Sequence, residues 1–137
     1  MKYEQCPCSG KNLAKLVRPA ILVMLSERPM HGYELATEIG NHGWCGTDDP
    51  DLSGIYRILN DCEKQGHVTS HWDASQRGSA RKVYSLTPEG RQCLVRWHET
   101  LTVYLKQLSD LNDYIAATPC GKSAKSKRKN TSAQNTE

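Results

Sequence analysis

Apolar side chains in the first third of the chain recur every three or four residues, a spacing that is typical of amphipathic helices. One such run covers residues 13–25 and contains Pro19, so we expect a first helix that begins or kinks at this proline. A second run covers residues 33–39 and predicts about two helical turns that end at Gly40. A turn at residues 26–29 separates the two predicted helices.

The middle of the chain changes from helical to alternating periodicity. A Gly- and Asp-rich loop at residues 41–50 precedes a third amphipathic run, which begins at Asp51 or Ser53 and ends at Lys64, just before Gly66. Residues 67–72 and 81–86 then alternate apolar and polar side chains on either side of a polar segment. This alternation predicts a β-hairpin with a long, partly basic loop.

The last predicted helix is long. Thr87 is its expected N-cap and Pro88 its first residue, and no proline follows until Pro119, so about 30 residues can form one helix about 45 Å long. This helix carries a narrow apolar seam at heptad positions, and such a seam normally packs against another helix, which predicts a homodimer. Packing on the first helix of the same chain is the alternative, and both arrangements can hold together. The seam residues are Leu94, Trp97, Leu101, Tyr104, Leu108, Leu111 and Ile115.

Composition restricts the class of protein. The chain has 137 residues, 37% of them apolar, which is enough for one modest core. No apolar run is long enough to span a bilayer, and the first residues lack the apolar stretch of a signal peptide, so we expect a cytoplasmic protein with no membrane partner.

The net charge of +3 is unevenly distributed along the chain. Residues 1–118 carry 13 Lys and Arg against 14 Asp and Glu, whereas residues 119–137 carry 5 basic residues against Glu137 alone. This tail has no large apolar side chain, so we expect it to be disordered. Two interpretations of the tail stay open: an arm that binds nucleic acid nonspecifically, or a solubilising segment.

The six cysteines fall into two groups. In a reducing cytosol they are expected as free thiols or metal ligands rather than disulfides. Cys62 and Cys93 occupy helical positions and are expected to be buried as small apolar residues. The other four are Cys6, Cys8, Cys45 and Cys120. Cys6 and Cys8, together with Cys45 or Cys120, form a candidate cluster that binds a soft metal ion or senses oxidants, with inert free thiols as the alternative.

The sequence does not favour catalysis. Its five histidines are scattered, and it contains no Ser/His/Asp arrangement, phosphate-binding loop or paired catalytic carboxylates. His31 precedes a predicted helix and is expected to contact backbone rather than to act as a base. We therefore predict that the protein is not an enzyme.

The order of the predicted elements, three helices followed by a hairpin and a long helix, is that of a winged helix-turn-helix with a dimerisation helix. In such a domain the third helix enters the major groove, and the hairpin follows the DNA backbone or the minor groove. An ordinary solvated surface is the alternative. The candidate DNA contacts are Ser53, Gly54, Tyr56, Arg57 and Asn60 on the third helix and Gln76, Arg77, Ser79, Arg81 and Lys82 on the wing.

Five motifs within residues 12–117 carry a family resemblance. They are PAILVML (19–25), HGYEL (31–35), GIYRIL (54–59), EKQGHV (63–68) and KVYSLTPEG (82–90). In these motifs the chain resembles the PadR-type transcriptional regulators, and its single C-terminal helix resembles the smaller subfamily. Members of this family are mostly repressors, so the resemblance implies a homodimeric repressor, with Tyr33 and Tyr56 near the DNA phosphates. It also implies a flat aromatic effector at Trp97 with Tyr104 nearby, whereas Trp97 taken without the resemblance favours a core residue.

Together these observations predict a mainly α (α+β) fold, a winged helix-turn-helix with a two-stranded wing and a long C-terminal dimerisation helix. The expected divisions are a Cys-containing segment (1–11), the DNA-binding domain (12–87), the dimerisation helix (88–118) and the basic tail (119–137). The expected function is an effector-responsive repressor on an inverted-repeat operator. A metal- or thiol-redox-sensing module and a coiled-coil adaptor are the alternatives.

Overall fold

The computed structural model describes residues 16–44, 51–74 and 80–120. Its elements confirm the predicted order of three helices, a hairpin and a long helix. They are α1 (Val17–Glu27), β1 (Met30–His31), α2 (Gly32–His42), α3 (Leu52–Lys64), β2 (Val68–Asp73), β3 (Arg81–Leu86) and α4 (Pro88–Ala116). The fold is therefore mainly helical with one small antiparallel sheet, as predicted.

Helix α1 contains Pro19 in its first turn, where a backbone N–H has no partner within the helix. The proline is therefore tolerated there, and the helix begins just before it. Ile21 and Leu22 are fully buried, so α1 runs through the core rather than along its surface.

Helix α2 is longer than its sequence pattern predicted. It continues through Gly40, which is buried, and ends at His42. Gly43 has a φ of 72°, in the left-handed region, and its N–H donates to the carbonyl oxygens of Ile39 (3.2 Å) and Gly40 (3.1 Å). A glycine ends a helix by adopting this conformation, and Gly43 rather than Gly40 does so. The predicted end at Gly40 is wrong for that reason.

Helices α3 and α4 begin as their sequences predicted. The Asp51 carboxylate accepts a hydrogen bond from the Gly54 N–H (3.1 Å), and the Thr87 hydroxyl oxygen accepts one from the Gly90 N–H (3.0 Å). Thr87 also donates its own hydroxyl proton to the carbonyl oxygen of Gly66 (2.7 Å). The start of α4 is thus fastened to the turn that follows α3.

The sheet has three strands in the order β1–β3–β2, all antiparallel. Strands β2 and β3 form the predicted hairpin. Strand β1, in which Met30 pairs with Tyr84 and His31 with Val83, was not predicted. Two residues are too few to show an alternating pattern, and the strand exists only because β3 supplies its partner.

The chain forms two compact units, Met1–Trp97 and His98–Glu137. In the first, side chains from α1, α2 and α3 close over the base of the hairpin, and Tyr84 is the largest fully buried side chain. Cys62 is fully buried, as expected, whereas Cys93 is half-buried against the core. Within the described part of the second unit, residues 98–116 continue α4.

Candidate nucleic-acid interface

Helix α3 separates its side chains into a buried and an exposed face. Ile55, Leu59 and Cys62 are buried in the core. On the opposite side, four of the predicted DNA contacts are exposed, and Gly54 at the start of the helix is half-buried. The exposed ones are Ser53, Tyr56, Arg57 and Asn60. This face presents hydroxyl, guanidinium and amide groups, which are the side-chain types that bind base edges and phosphates.

Tyr56 packs onto the first residue of α2. Its ring lies over Gly32, so close that a Cβ at this glycine would be 2.7 Å from the Tyr56 hydroxyl oxygen and closer still to two ring carbons. Gly32 is buried, and only a residue without a side chain leaves room for the ring. The contact joins the exposed face of α3 to the N-terminus of α2.

His31 caps α2 and links it to the wing. Its Nδ1 accepts a hydrogen bond from the Glu34 N–H (3.3 Å), which confirms the expected backbone role. Arg81 Nη1 lies 3.2 Å from His31 Nε2, and Arg28 pairs with the Glu34 carboxylate at 2.6 Å. Arg81 was predicted only as a wing contact; the structure places it beside the N-terminus of α2.

Tyr33 follows directly in α2 and is 67% exposed. Because Tyr56 lies over Gly32 and Arg81 touches His31, three of the predicted DNA contacts surround one helix N-terminus. Backbone N–H groups at such a terminus favour an anion, so the arrangement suits a phosphate of the DNA backbone.

Lys82, another predicted wing contact, is held by α3. Its Nζ lies 3.9 Å from Glu63 Oε1 and 5.7 Å from the centre of the Tyr84 ring. The Ser70 hydroxyl donates to the other Glu63 oxygen at 2.6 Å. Glu63 was not singled out in the sequence, because only the fold brings it to the wing.

Among the described residues, the pKa is raised at the Tyr84 hydroxyl and at the Cys62 thiol. Burial is the main cause of the raised pKa of the Tyr84 hydroxyl, and Glu63 and Tyr56 contribute. Burial likewise raises the pKa of the Cys62 thiol, against the opposing effect of Arg18. Arg18 donates to the Cys62 sulfur (3.1 Å) and pairs with Asp61 (2.5 Å), which fastens α1 to α3. A thiol kept neutral in this way is a poor nucleophile.

Several predicted site residues lie outside the described residues. These are Gln76, Arg77 and Ser79 of the wing, Cys6, Cys8 and Cys45 of the thiol cluster, and the tail beyond residue 120. Cys120 is described and is exposed. Among the described residues, no three His, Cys, Asp or Glu side chains are grouped so that they could hold a metal ion. The soft-metal site therefore stays a prediction.

The predicted seam of α4 divides between the two units. In the first unit, Leu94 and Trp97 are partly buried against the core. In the second, Leu101 is half-buried, and the remaining seam residues are 44–58% exposed. Leu105 was not among the predicted seam residues. It lies four residues after Leu101 and three before Leu108, is 67% exposed and widens the apolar face. The exposed seam residues are Tyr104, Leu108, Leu111 and Ile115.

Residues 21–96 match the model of the "Transcriptional regulator PadR-like family". Among curated protein sequences, none shows significant similarity to the chain. Within the described ranges, no helix combines the length and apolarity that a membrane span requires.

Solved structures give close matches in fold. The Thermoplasma acidophilum protein TA0346, a candidate transcriptional regulator, is 30% identical, with a TM-score of 0.63 over 72% of this chain and 92% of its own. A PadR-like transcriptional regulator from Bacillus cereus is 25% identical, with a TM-score of 0.61 over 72% of this chain and 93% of its own. A PadR family regulator from Clostridium difficile, at 21% identity and a TM-score of 0.60 over 69% and 96%, shares the fold.

Proposed function

The chain belongs to the PadR-like family of transcriptional regulators, and from this premise we propose that it is a repressor that binds operator DNA as a homodimer and releases it when an effector binds. The observation that carries the proposal is the exposed polar face of α3, joined through Tyr56 and Gly32 to the N-terminus of α2. In this arrangement α3 enters the major groove and the α2 terminus meets the adjacent phosphate.

The apolar face of residues 98–116 supports a homodimer. Leu105, Leu108 and Leu111 are each about half exposed or more, and together with Tyr104 and Ile115 they follow one side of α4. An apolar stripe of this length in water favours burial against a second helix, and a second copy of the chain supplies an identical stripe. A two-fold dimer carries two copies of α3, so its operator is an inverted repeat with half-sites about one helical turn, or roughly 34 Å, apart.

Light scattering on purified protein tests the dimer. We expect the wild-type protein in solution to have twice the mass of a single chain. Leu108→Lys places a charge in the apolar face and is expected to shift the protein to monomer. Ser109→Lys adds the same charge one residue away at an exposed position outside the seam, and it is expected to leave the dimer intact. A monomeric wild type, or a dimer indifferent to Leu108→Lys, would contradict the proposal.

DNA binding is tested with a duplex enriched from a random-sequence pool by the full-length protein. We expect the enriched site to be an inverted repeat. Arg57→Ala removes an exposed charge from α3 and is expected to weaken binding about tenfold or more. Lys106→Ala removes the same charge from the second unit, where Lys106 pairs with Asp110 at 3.3 Å, and is the matched control. Failure to enrich any duplex at low salt, or equal losses in the two variants, would refute DNA recognition by α3.

For the effector, we propose a planar aromatic compound that stacks on Trp97. The resemblance to regulators that bind such compounds supports this, and Trp97 is only partly buried beside the core. A thermal-shift screen of planar aromatic compounds against their saturated analogues tests it, because a ligand of the folded state raises the melting temperature. The effector assignment fails if no planar compound raises it, or if Trp97→Ala keeps the full shift.

A further inference from the structure

Side chains on one face of strand β2 become steadily more exposed along the strand. Val68 is 1% exposed, Ser70 is half-buried and Trp72 is 66% exposed. Because side chains alternate between the two faces of a strand, these three share the face that starts on the core. The hairpin therefore extends past the core, and the largest side chain of β2 lies where the core no longer covers it.

The cross-strand partner of Trp72 is basic. Trp72 pairs directly with Lys82, one step from the Asp73–Arg81 pair at the described end of the hairpin. Lys82 in turn reaches Glu63 of α3, so Trp72 shares the hairpin face that α3 packs against. Within the described ranges, the indole nitrogen of Trp72 has no hydrogen-bond partner.

A single exposed apolar side chain is ordinary on a protein surface. What distinguishes Trp72 is its position, because it lies on the hairpin that flanks α3 and beside a lysine. When α3 occupies the major groove, a hairpin projecting from the same face of the domain reaches the adjacent minor groove. That groove is about 6 Å wide, which admits a flat ring and excludes a helix.

We propose that Trp72 is a specificity-determining residue that contacts the minor groove next to the α3 site; this inference rests on the proposed function. The indole packs against the deoxyribose walls, and its Nε1–H donates to the adenine N3 or thymine O2 acceptor on the groove floor. Guanine places its exocyclic amino group at this position, which obstructs the ring. Trp72 therefore selects A·T pairs in the flank of the operator.

Inosine distinguishes recognition in the minor groove from recognition in the major groove, because it lacks the minor-groove amino group of guanine but keeps the major-groove acceptors. In the duplex enriched by the wild-type protein, each A·T pair outside the α3 half-sites is replaced in turn by G·C or by inosine·C. At the position under the hairpin, we expect G·C to weaken binding about tenfold and inosine·C to bind like A·T. Trp72→Ala is expected to abolish the difference, whereas His71→Ala, an exposed neighbour on the opposite face of β2, keeps it.

A second readout does not depend on the alanine variant. The chain contains three tryptophans, and 5-fluorotryptophan labelling gives each its own ¹⁹F resonance. The resonance that disappears in Trp72→Phe is expected to shift when the duplex is added.

The outcomes distinguish this inference from the proposed function. Suppose that the wild-type protein enriches a duplex. The role of Trp72 is then refuted, while DNA binding stands, if the wild type shows no preference for A·T in the flank, if Trp72→Ala shows the same preference, or if the Trp72 resonance does not shift on addition of the duplex. If inosine·C binds as weakly as G·C, the discrimination comes from the major groove and the inference is again refuted. If no duplex is enriched at all, both fall.

Discussion

Replacing Gly32 with alanine tests the contact that joins α2 to α3. An alanine Cβ at this position would lie 2.7 Å from the Tyr56 hydroxyl oxygen and nearer still to two ring carbons, whereas ordinary van der Waals contacts are 3.4–4 Å. Gly32→Ala therefore forces the ring outward by about 1 Å or more, since overlap of this size is not tolerated in a packed contact.

The cost of this substitution follows from two opposing effects. Overpacking costs typically about 1–3 kcal/mol, but Tyr56 is 38% exposed and can swing towards solvent, so the loss is limited to the packing of its ring. Alanine is otherwise favoured over glycine in a helix by at most about 1 kcal/mol. We expect a net loss of about 1 kcal/mol in the wild-type background. In a Tyr56→Ala background the obstacle is absent, and the same substitution is expected to stabilise the protein.

Urea unfolding of the four proteins in this double-mutant cycle measures the effect. The decisive result is the change of sign, because no general effect of alanine on α2 predicts it. If Gly32→Ala changes the free energy of unfolding equally in both backgrounds, the close approach of the Tyr56 ring to Gly32 does not affect stability, which contradicts the prediction. Gly32→Ala is also expected to weaken duplex binding, since it displaces Tyr56 from the α2 terminus.

The remaining predictions concern a cap, an ion pair and a thiol. Asp51→Ala removes the hydrogen bond from the Gly54 N–H and is expected to lower the free energy of unfolding by about 1 kcal/mol. Asp51→Asn keeps an acceptor oxygen and is expected to keep most of the stability. Equal losses of stability in thermal melts of the two variants would contradict the role of Asp51 as the N-cap. Glu63→Gln releases Lys82 while keeping an acceptor for the Ser70 hydroxyl. We therefore expect severalfold tighter duplex binding, and a binding constant whose dependence on salt concentration is steeper by up to about one released counterion. An unchanged salt dependence would argue that Lys82 does not reach DNA. Because burial raises the pKa of Cys62 in the folded state above its unfolded value, the stability it contributes is present below the unfolded pKa and is lost as pH rises through the folded pKa. The free energy of unfolding should therefore fall above about pH 9, the ordinary thiol value, and fall less steeply in Cys62→Ala; identical pH profiles would exclude this effect.

Sequence patterns located those elements whose signals are local. The N-cap Asp51 and Gly66, which follows the C-cap Gln65, bracket α3 because capping depends on residues three or four positions apart. Thr87 and Pro88 mark the start of α4 for the same reason. The hairpin was visible because alternation has a short period.

The candidate interface was predictable in its exposed residues but not in its contacts. The periodicity of α3 alone indicated that Tyr56 and Arg57 would be exposed. The Tyr56 ring packs on Gly32, 24 positions earlier in the chain, and Arg81 contacts His31, 50 positions earlier. A local sequence pattern cannot predict contacts between residues so far apart.

The sequence alone therefore determined the order of the helices and the hairpin, the caps of α3 and α4, and which face of α3 is polar, because each follows from side chains within a few residues of one another. Only the tertiary structure decided that β1 exists, that Glu63 holds Lys82, and that Trp72 stands beyond the core. These features arise where segments distant in sequence pack together, and their free energy comes from contacts that exist only once the chain has folded.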